Sequence, residues 1–199
     1  MARKGERSTV PKWWVEVARW RKTLLGWPSW SEPSTPPSSR SATPRSDFSS
    51  VAAETTEVVI PLATEDGFGI QGAQLRLNAW AYRRMHEVTA TLEVGGGRAA
   101  VAIARVDAWP ADPHMNTVAR KIAKIRALPA QIDGSHVHRF RDNARIGVRA
   151  FKPPFNLPAA APIVEPLTSF RGFLRIVGQE FVIIGLEEFD PPPWQEYLL

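Results

Sequence analysis

Two runs of strict alternation constrain this chain more than any other feature. Leu75, Leu77, Ala79 and Ala81 alternate with Gln74, Arg76, Asn78, Trp80 and Tyr82. Val88, Ala90, Leu92 and Val94 alternate with Glu87, Thr89, Thr91 and Glu93. A period of two sends successive side chains to opposite faces, so each run predicts a half-buried strand. A turn at Arg83–His86 pairs Tyr82 with Glu87. It sets Trp80 by Thr89, Asn78 by Thr91, Arg76 by Glu93 and Leu77 by Leu92, so apolar meets apolar and Arg meets Glu. Gly95-Gly96-Gly97 reads as a further turn, since glycine takes positive φ without steric cost. Centred on Gly96, it pairs Leu92 with Ala100 and Val88 with Ala104, and sets Glu87 beside Arg105. Residues 57–62 (EVVIPL) add a strand that Pro61 marks as an edge.

Helical periods come after the strands. Asn116 is a candidate cap for a helix ending at Leu128 before Pro129, with Val118, Ile122 and Ile125 as its apolar stripe. Asp142 or Asn143 can cap a short helix carrying Arg145 and Arg149, although Ala144, Ile146, Val148 and Ala150 also alternate like a strand. Residues 152–167 read as a Pro/Ala-rich connector. Thr168 or Ser169 caps the clearest helix, in which Phe170, Phe173, Leu174, Val177 and Phe181 share one face. Residues 181–184 (FVII) read as a buried strand ending at Gly185, and Pro191-Pro192-Pro193-Trp194 as extended chain that docks on the body or meets a partner. The fold expected is α+β: an antiparallel β-meander of about four strands with two to three helices packed on it.

A basic N-terminal leader precedes this body. Trp13, Val17, Trp20, Leu24 and Trp27 fall on one helical face, with Lys12, Arg19, Arg21 and Lys22 around it. Such a segment suits an anionic surface or a partner's groove. Serine and the prolines at 28, 33, 36, 37 and 44 dominate residues 28–50, a composition that buries too little to order itself. The organisation expected is a basic Trp-rich amphipathic segment at 1–27, a flexible Ser/Pro-rich linker at 28–50, and a single α+β domain at 51–199.

Charge narrows the function classes. Residues 1–50 hold nine Lys/Arg against four Asp/Glu, and residues 114–152 hold nine against two, whereas the segments flanking that central block are acidic. A concentrated basic block attracts polyanions. The reading chosen is a soluble nucleic-acid-binding protein that uses Arg120, Lys121, Lys124, Arg139, Arg141, Arg145 and Arg149. Trp80 and Tyr82 are not read as a base-stacking platform, because Glu87 and Glu93 beside them repel phosphates. A protein-interaction module engaging partners through residues 11–27 or 191–199 is one rival reading. No apolar run approaches the roughly 18 residues of a membrane span. The compartment expected is the cytoplasm, with the mitochondrion as alternative and residues 1–50 as its transit region; Glu6, Glu16, Glu32 and Asp47 count against that alternative.

A His-centred hydrolase is the other rival. With no cysteine in the chain, thiolate nucleophiles, Fe–S clusters and Cys-type zinc sites are excluded. In the stretch 133–142 (DGSHVHRFRD), a strand would point His136 and His138 one way and Arg139 and Arg141 the other. As catalytic groups, the two histidines would exchange protons near neutrality while an arginine neutralised a phosphate. As ligands, they would hold zinc or another divalent ion, completed by Asp107, Asp112, His114, Asp133 or Asp142. His114 and Asp112 are preferred as partners, because Asp112-Pro113-His114 lies in a loop after a strand. Structural histidines are the plain alternative.

Overall fold

The computed structural model describes residues 20–21, 55–64, 67–95, 100–192 and 194. The meander is formed by β2 (Thr55–Thr64), β3 (Gly69–Trp80), β4 (Val88–Val94) and β5 (Val101–Ala108), each antiparallel to the next. Beyond β5 the sheet continues through β8 (His136–His138) and β9 (Ala161–Pro162). On its other side β1 (Trp20–Arg21) joins Ala63 and Thr64 and runs parallel to β10 (Ile183–Ile184). The order is β10-β1-β2-β3-β4-β5-β8-β9, and β6 (His114–Met115) and β7 (Gln131–Ile132) form a separate ribbon. Three α-helices complete the fold: α1 (Thr117–Ile122), α2 (Phe140–Ala144) and α3 (Phe170–Phe181). The architecture is α+β, and none of these helices is long and apolar enough to cross a membrane.

The alternation sorts the two faces as expected. Val58, Ile60, Leu75, Leu77, Val88, Ala90, Leu92, Val106 and Val137 are buried in one core with Phe173, Leu174 and Val177 of α3. Ser169 starts α3 by accepting the Gly172 N–H at 3.0 Å, which satisfies one of the donors that every helix N-terminus leaves free. The opposite sheet face is polar. There Arg76 bridges Glu57 and Glu93 at 2.9 and 3.0 Å, and Gln74 donates to Glu93 at 2.6 Å. At Pro61 β2 is paired with β3 alone among the described residues, consistent with an edge position that asks for no N–H.

Register differs from expectation. Asn78 pairs with Thr89, Leu77 with Ala90 and Leu75 with Leu92, a slip of two residues. The turn is wider than Arg83–His86, and Met85 and Glu87 take positive φ within it. An even slip keeps every side chain on its face, so the core is unaffected, and Arg76 still reaches Glu93 diagonally. Between β4 and β5 the slip is larger. Val88 pairs with Ala108, Ala90 with Val106 and Leu92 with Ala104, and an irregularity occurs at Leu92/Glu93. The ladder closes at Val94–Val101, so the connection is longer than a turn centred on Gly96.

Three helical expectations are corrected. Trp20–Arg21, placed in a helix by the tryptophan spacing, is extended; the rest of 1–27 and the linker at 28–50 lie outside the described residues. The helix after Asn116 ends at Ile122, with Lys124 at φ 53°; of its expected stripe, Val118 packs partly buried against the core, Ile122 is exposed, and Ile125 is buried beyond the helix end. Asn116 caps nothing with its side chain, which is used elsewhere. The Asp142/Asn143 helix starts earlier, at Phe140, so Arg141 is on a helix rather than a strand, with Arg139 at its N-cap. Pro192 is buried and Trp194 packs edge-on against Phe170 with ring centres 5.6 Å apart, so this part of the tail docks on the body; residues 195–199 lie outside the described ones.

A candidate metal centre

Adjacent strands build the site. Asp107 of β5 pairs with His136 of β8, and Arg105 with His138, all four on the polar sheet face. The ribbon of β6 and β7 brings His114 onto the same spot. The three imidazoles have ring centres 4.8 to 5.0 Å apart, and one nitrogen from each lies within 4.8 Å of the others. A tetrahedral ion bound at ~2.1 Å by three imidazoles would hold their ring centres about 5 Å apart. His138 is fully buried, His136 nearly so, and His114 partly so.

The outer nitrogens are fixed by backbone carbonyls. His138 Nδ1 lies 2.6 Å from Leu157 O, His136 Nδ1 2.9 Å from Gly134 O, and His114 Nε2 3.3 Å from Pro158 O. A carbonyl oxygen only accepts, so each contact calls for an N–H and leaves the other nitrogen of a neutral ring as a lone pair. Metal-bound histidines are oriented in this way. The carbonyls are themselves held in place. Asn116 Oδ1 accepts the Ala160 N–H at 2.8 Å, and its Nδ2 donates to Ala160 O at 2.9 Å. Asn143 makes the same pair of bonds with Ala159, both at 2.9 Å. Two buried asparagines therefore clamp consecutive residues just after the two carbonyls that orient His138 and His114.

The inner nitrogens of His136 and His138 meet Asp107. Its Oδ2 is 2.9 Å from His138 Nε2 and 3.2 Å from His136 Nε2, while its buried Oδ1 has no hydrogen-bond partner. His136 thus faces oxygen acceptors at both nitrogens, whereas His138 faces Leu157 O at Nδ1 and, at Nε2, both Asp107 and an Arg105 N–H. Burial pushes the His138 pKa down to about 4, with Asp107 opposing that shift and Arg105 adding to it, so this ring is neutral at pH 7 and its Nε2 lone pair is available to Arg105. Burial together with His136 also lowers His114. Burial alone would raise Asp107, yet its histidine contacts and Arg105 outweigh that and hold it well below the usual carboxylate range. Arg105 is the cation present: its Nε donates to Asp107 Oδ2 at 2.9 Å, and its Nη2 lies 3.0 Å from His138 Nε2.

The centre opens on a cleft of about 230 Å³ lined by Glu87, Thr89, Asp107, Asp112, His114 and His136, with Ala and Pro between them. Asp112 is an exposed wall residue and is not among the clustered nitrogen donors; Asp107 is the carboxylate in contact with the histidines. Asp133 is engaged by Gln131, and Asp142 sits on α2.

The basic residues do not gather at this centre. Arg139 is paired with Glu180 of α3, its Nε donating at 2.7 Å, and Arg120 donates to Leu128 O at 2.7 Å. Lys121, Lys124, Arg141, Arg145 and Arg149 are exposed, with Arg149 over the Phe155 ring. Sequence reasoning misses Arg105 and the two asparagine clamps. The asparagines do carry a signal, being polar residues amid apolar ones, but that signal reads as helix capping. Compared with protein-family models, curated proteins and solved structures, the chain matches none of them.

Proposed function

We propose that this protein binds a divalent first-row metal ion, with zinc the natural first choice, through His114, His136 and His138, with the Asp107 carboxylate beside it and the fourth position left for water, and uses it for hydrolysis. One observation carries the reading: nitrogens of three histidines and a buried carboxylate converge on one spot, where Arg105 is the one cation among the described residues. An ion there would accept the lone pairs of those nitrogens while each outer N–H keeps its carbonyl. Imidazole nitrogens with one carboxylate suit zinc and its neighbours, and a bound ion supplies a nucleophilic water near neutral pH and polarises a carbonyl or phosphoryl oxygen. The chain's own part is orientation by Leu157, Gly134 and Pro158, exclusion of water by burial of His138, and access through the cleft. Full burial of His138 favours this role over proton exchange with a substrate.

Thermal melting tests it. Zinc should raise the Tm of the native chain, and the rise should disappear in His136→Ala and His138→Ala. A Tm indifferent to zinc, cobalt, nickel and manganese would remove the basis of the proposal.

Nucleic-acid binding by the 114–152 block is a second reading, supported by the exposure of Lys121, Lys124, Arg141, Arg145 and Arg149. Arg139 contributes least to it, being paired with Glu180. Replacing Arg120, Lys121 and Lys124 together should then weaken binding and flatten its log–log salt dependence. An unchanged slope in a folded variant excludes that surface.

A further inference from the structure

The walls of the cleft say what kind of substrate group suits a metal at its base. Among the described residues, the ionisable side chains lining it are Glu87, Asp107, Asp112, His114 and His136, and no lysine or arginine lines it. Arg105 is committed to the inner side, bound to Asp107 and His138. With a divalent ion seated, the ion and Arg105 together outweigh the single charge of Asp107, so the base of the cleft is cationic while Glu87 and Asp112 make its walls acidic.

The Glu87 position is built, not incidental. The residue takes positive φ (48°), as does Trp109 (49°), and the Glu87 N–H donates to Trp109 O at 2.9 Å. This bond closes the β4–β5 ladder at the cleft, just beyond the Val88–Ala108 pair. Left-handed backbone at two non-glycine residues costs free energy and persists where surrounding structure enforces it. The Trp80 indole N–H donates to Glu87 Oε2 at 2.7 Å and orients the carboxylate, and His86 lies 3.4 Å from the same oxygen. Asp112 faces the same space from the loop that carries His114.

Ala and Pro residues line the space between these carboxylates and focus their field into it. At these walls an ammonium group is favoured over a phosphate or carboxylate, while the ion at the base takes a neutral carbonyl oxygen. The volume admits a group of about one amino-acid residue. Resting on the metal-centre reading, we infer that the substrate is a small amide or ester bearing a primary amine, its ammonium held by Glu87 and Asp112 and its carbonyl turned to the ion. In the reaction, a water oxygen bonds to the carbonyl carbon and the C–N or C–O bond breaks. The leaving nitrogen or oxygen takes one proton from the attacking water, and the acid is released as carboxylate, its remaining proton passing to the freed amine or, for an ester, to solvent.

The test uses the full chain and simple probe molecules in place of the natural substrate. Zinc binding is first established by thermal shift. Calorimetric titration of the zinc-loaded protein with butylammonium, butyrate and inorganic phosphate then reads the charge preference. Butylammonium should bind at least about tenfold more tightly than either anion. Asp112→Asn, at an exposed position, should weaken that binding, and Asp112→Asn with Glu87→Gln should weaken it further, while the zinc shift is retained. An amino-acid p-nitroanilide should be cleaved in preference to its N-acetylated form and to a p-nitrophenyl phosphodiester. A zinc shift with anions bound as tightly as the amine, or with the phosphodiester preferred, overturns this inference and leaves the metal centre standing. Absence of any metal shift overturns the reading beneath it.

Discussion

Arg105 is the residue on which the state of the centre turns. Its guanidinium satisfies acceptors that would otherwise face one another, so it occupies electrostatically the place of an ion. Arg105→Gln should lower the Tm of the metal-free protein by leaving buried acceptors short of donors. It should also raise zinc affinity by about tenfold or more, because one competitor is gone. Parallel losses in both quantities would contradict this. His138 sets the acid response. Its folded pKa, about 4, lies below the ordinary value of 6.5, so the unfolded chain takes up the proton first. The stability it contributes is complete above about pH 6.5 and is lost as pH falls toward 4, by up to about 3 kcal/mol. Asp107, also held low, extends the loss further into acid. Urea titrations of metal-free protein at pH 7 and pH 5 check the direction; equal stability at both would refute it. The His-x-His pair is legible in the sequence because strand parity puts i and i+2 on one face. Asp107 is legible only as one of several carboxylates, because the register expected for β5 sets Glu87 beside Arg105, four residues from where the ladder runs.

At the scale of elements, the segment 157–162 shows most clearly what sequence could not reveal. Its Pro/Ala composition reads as a connector, yet residues 157–161 are buried and β9 closes the sheet at that end. The chain is held there by side-chain amides that imitate a neighbouring strand, and amide partners 16 and 44 residues away leave no periodic trace. Asn143→Ala and Asn116→Ala should each cost about 2–4 kcal/mol, because buried backbone groups at Ala159 or Ala160 lose their partners. Each should also weaken zinc binding, since Leu157 O and Pro158 O shift with the segment; chemical denaturation and zinc titration of the same variants read both effects. A full stability loss with unchanged zinc affinity in the refolded protein would separate the clamp from the centre. By contrast, the start and apolar face of α3 are legible because both are local, whereas its end is not: residues 181–184 read as a buried strand, yet Phe181 closes the helix, Val182 turns left-handed and only Ile183–Ile184 is extended, with Ile184 exposed.

For the whole molecule, the composition boundary near residue 51 predicts that residues 51–199 fold without the leader, and β1 modifies that expectation. Trp20–Arg21 joins β2 and β10, which are far apart in sequence, so removing it leaves two strand edges unpaired. The 51–199 fragment should still unfold cooperatively and respond to zinc, with a Tm lower by roughly 2–8 °C; a fragment without cooperative melting would show that the leader completes the fold. The meander and its two faces are readable from alternation alone, whereas the site is not, because it is assembled from the edge of the sheet, a ribbon and a clamped segment. The internal arginine has a consequence for how the protein matures. A chain whose centre is neutralised from within has no need of an ion in order to fold. Loading is then an exchange of one cation for another inside a finished structure. Its rate should approach a ceiling as the ion becomes abundant, set by how often the guanidinium swings aside.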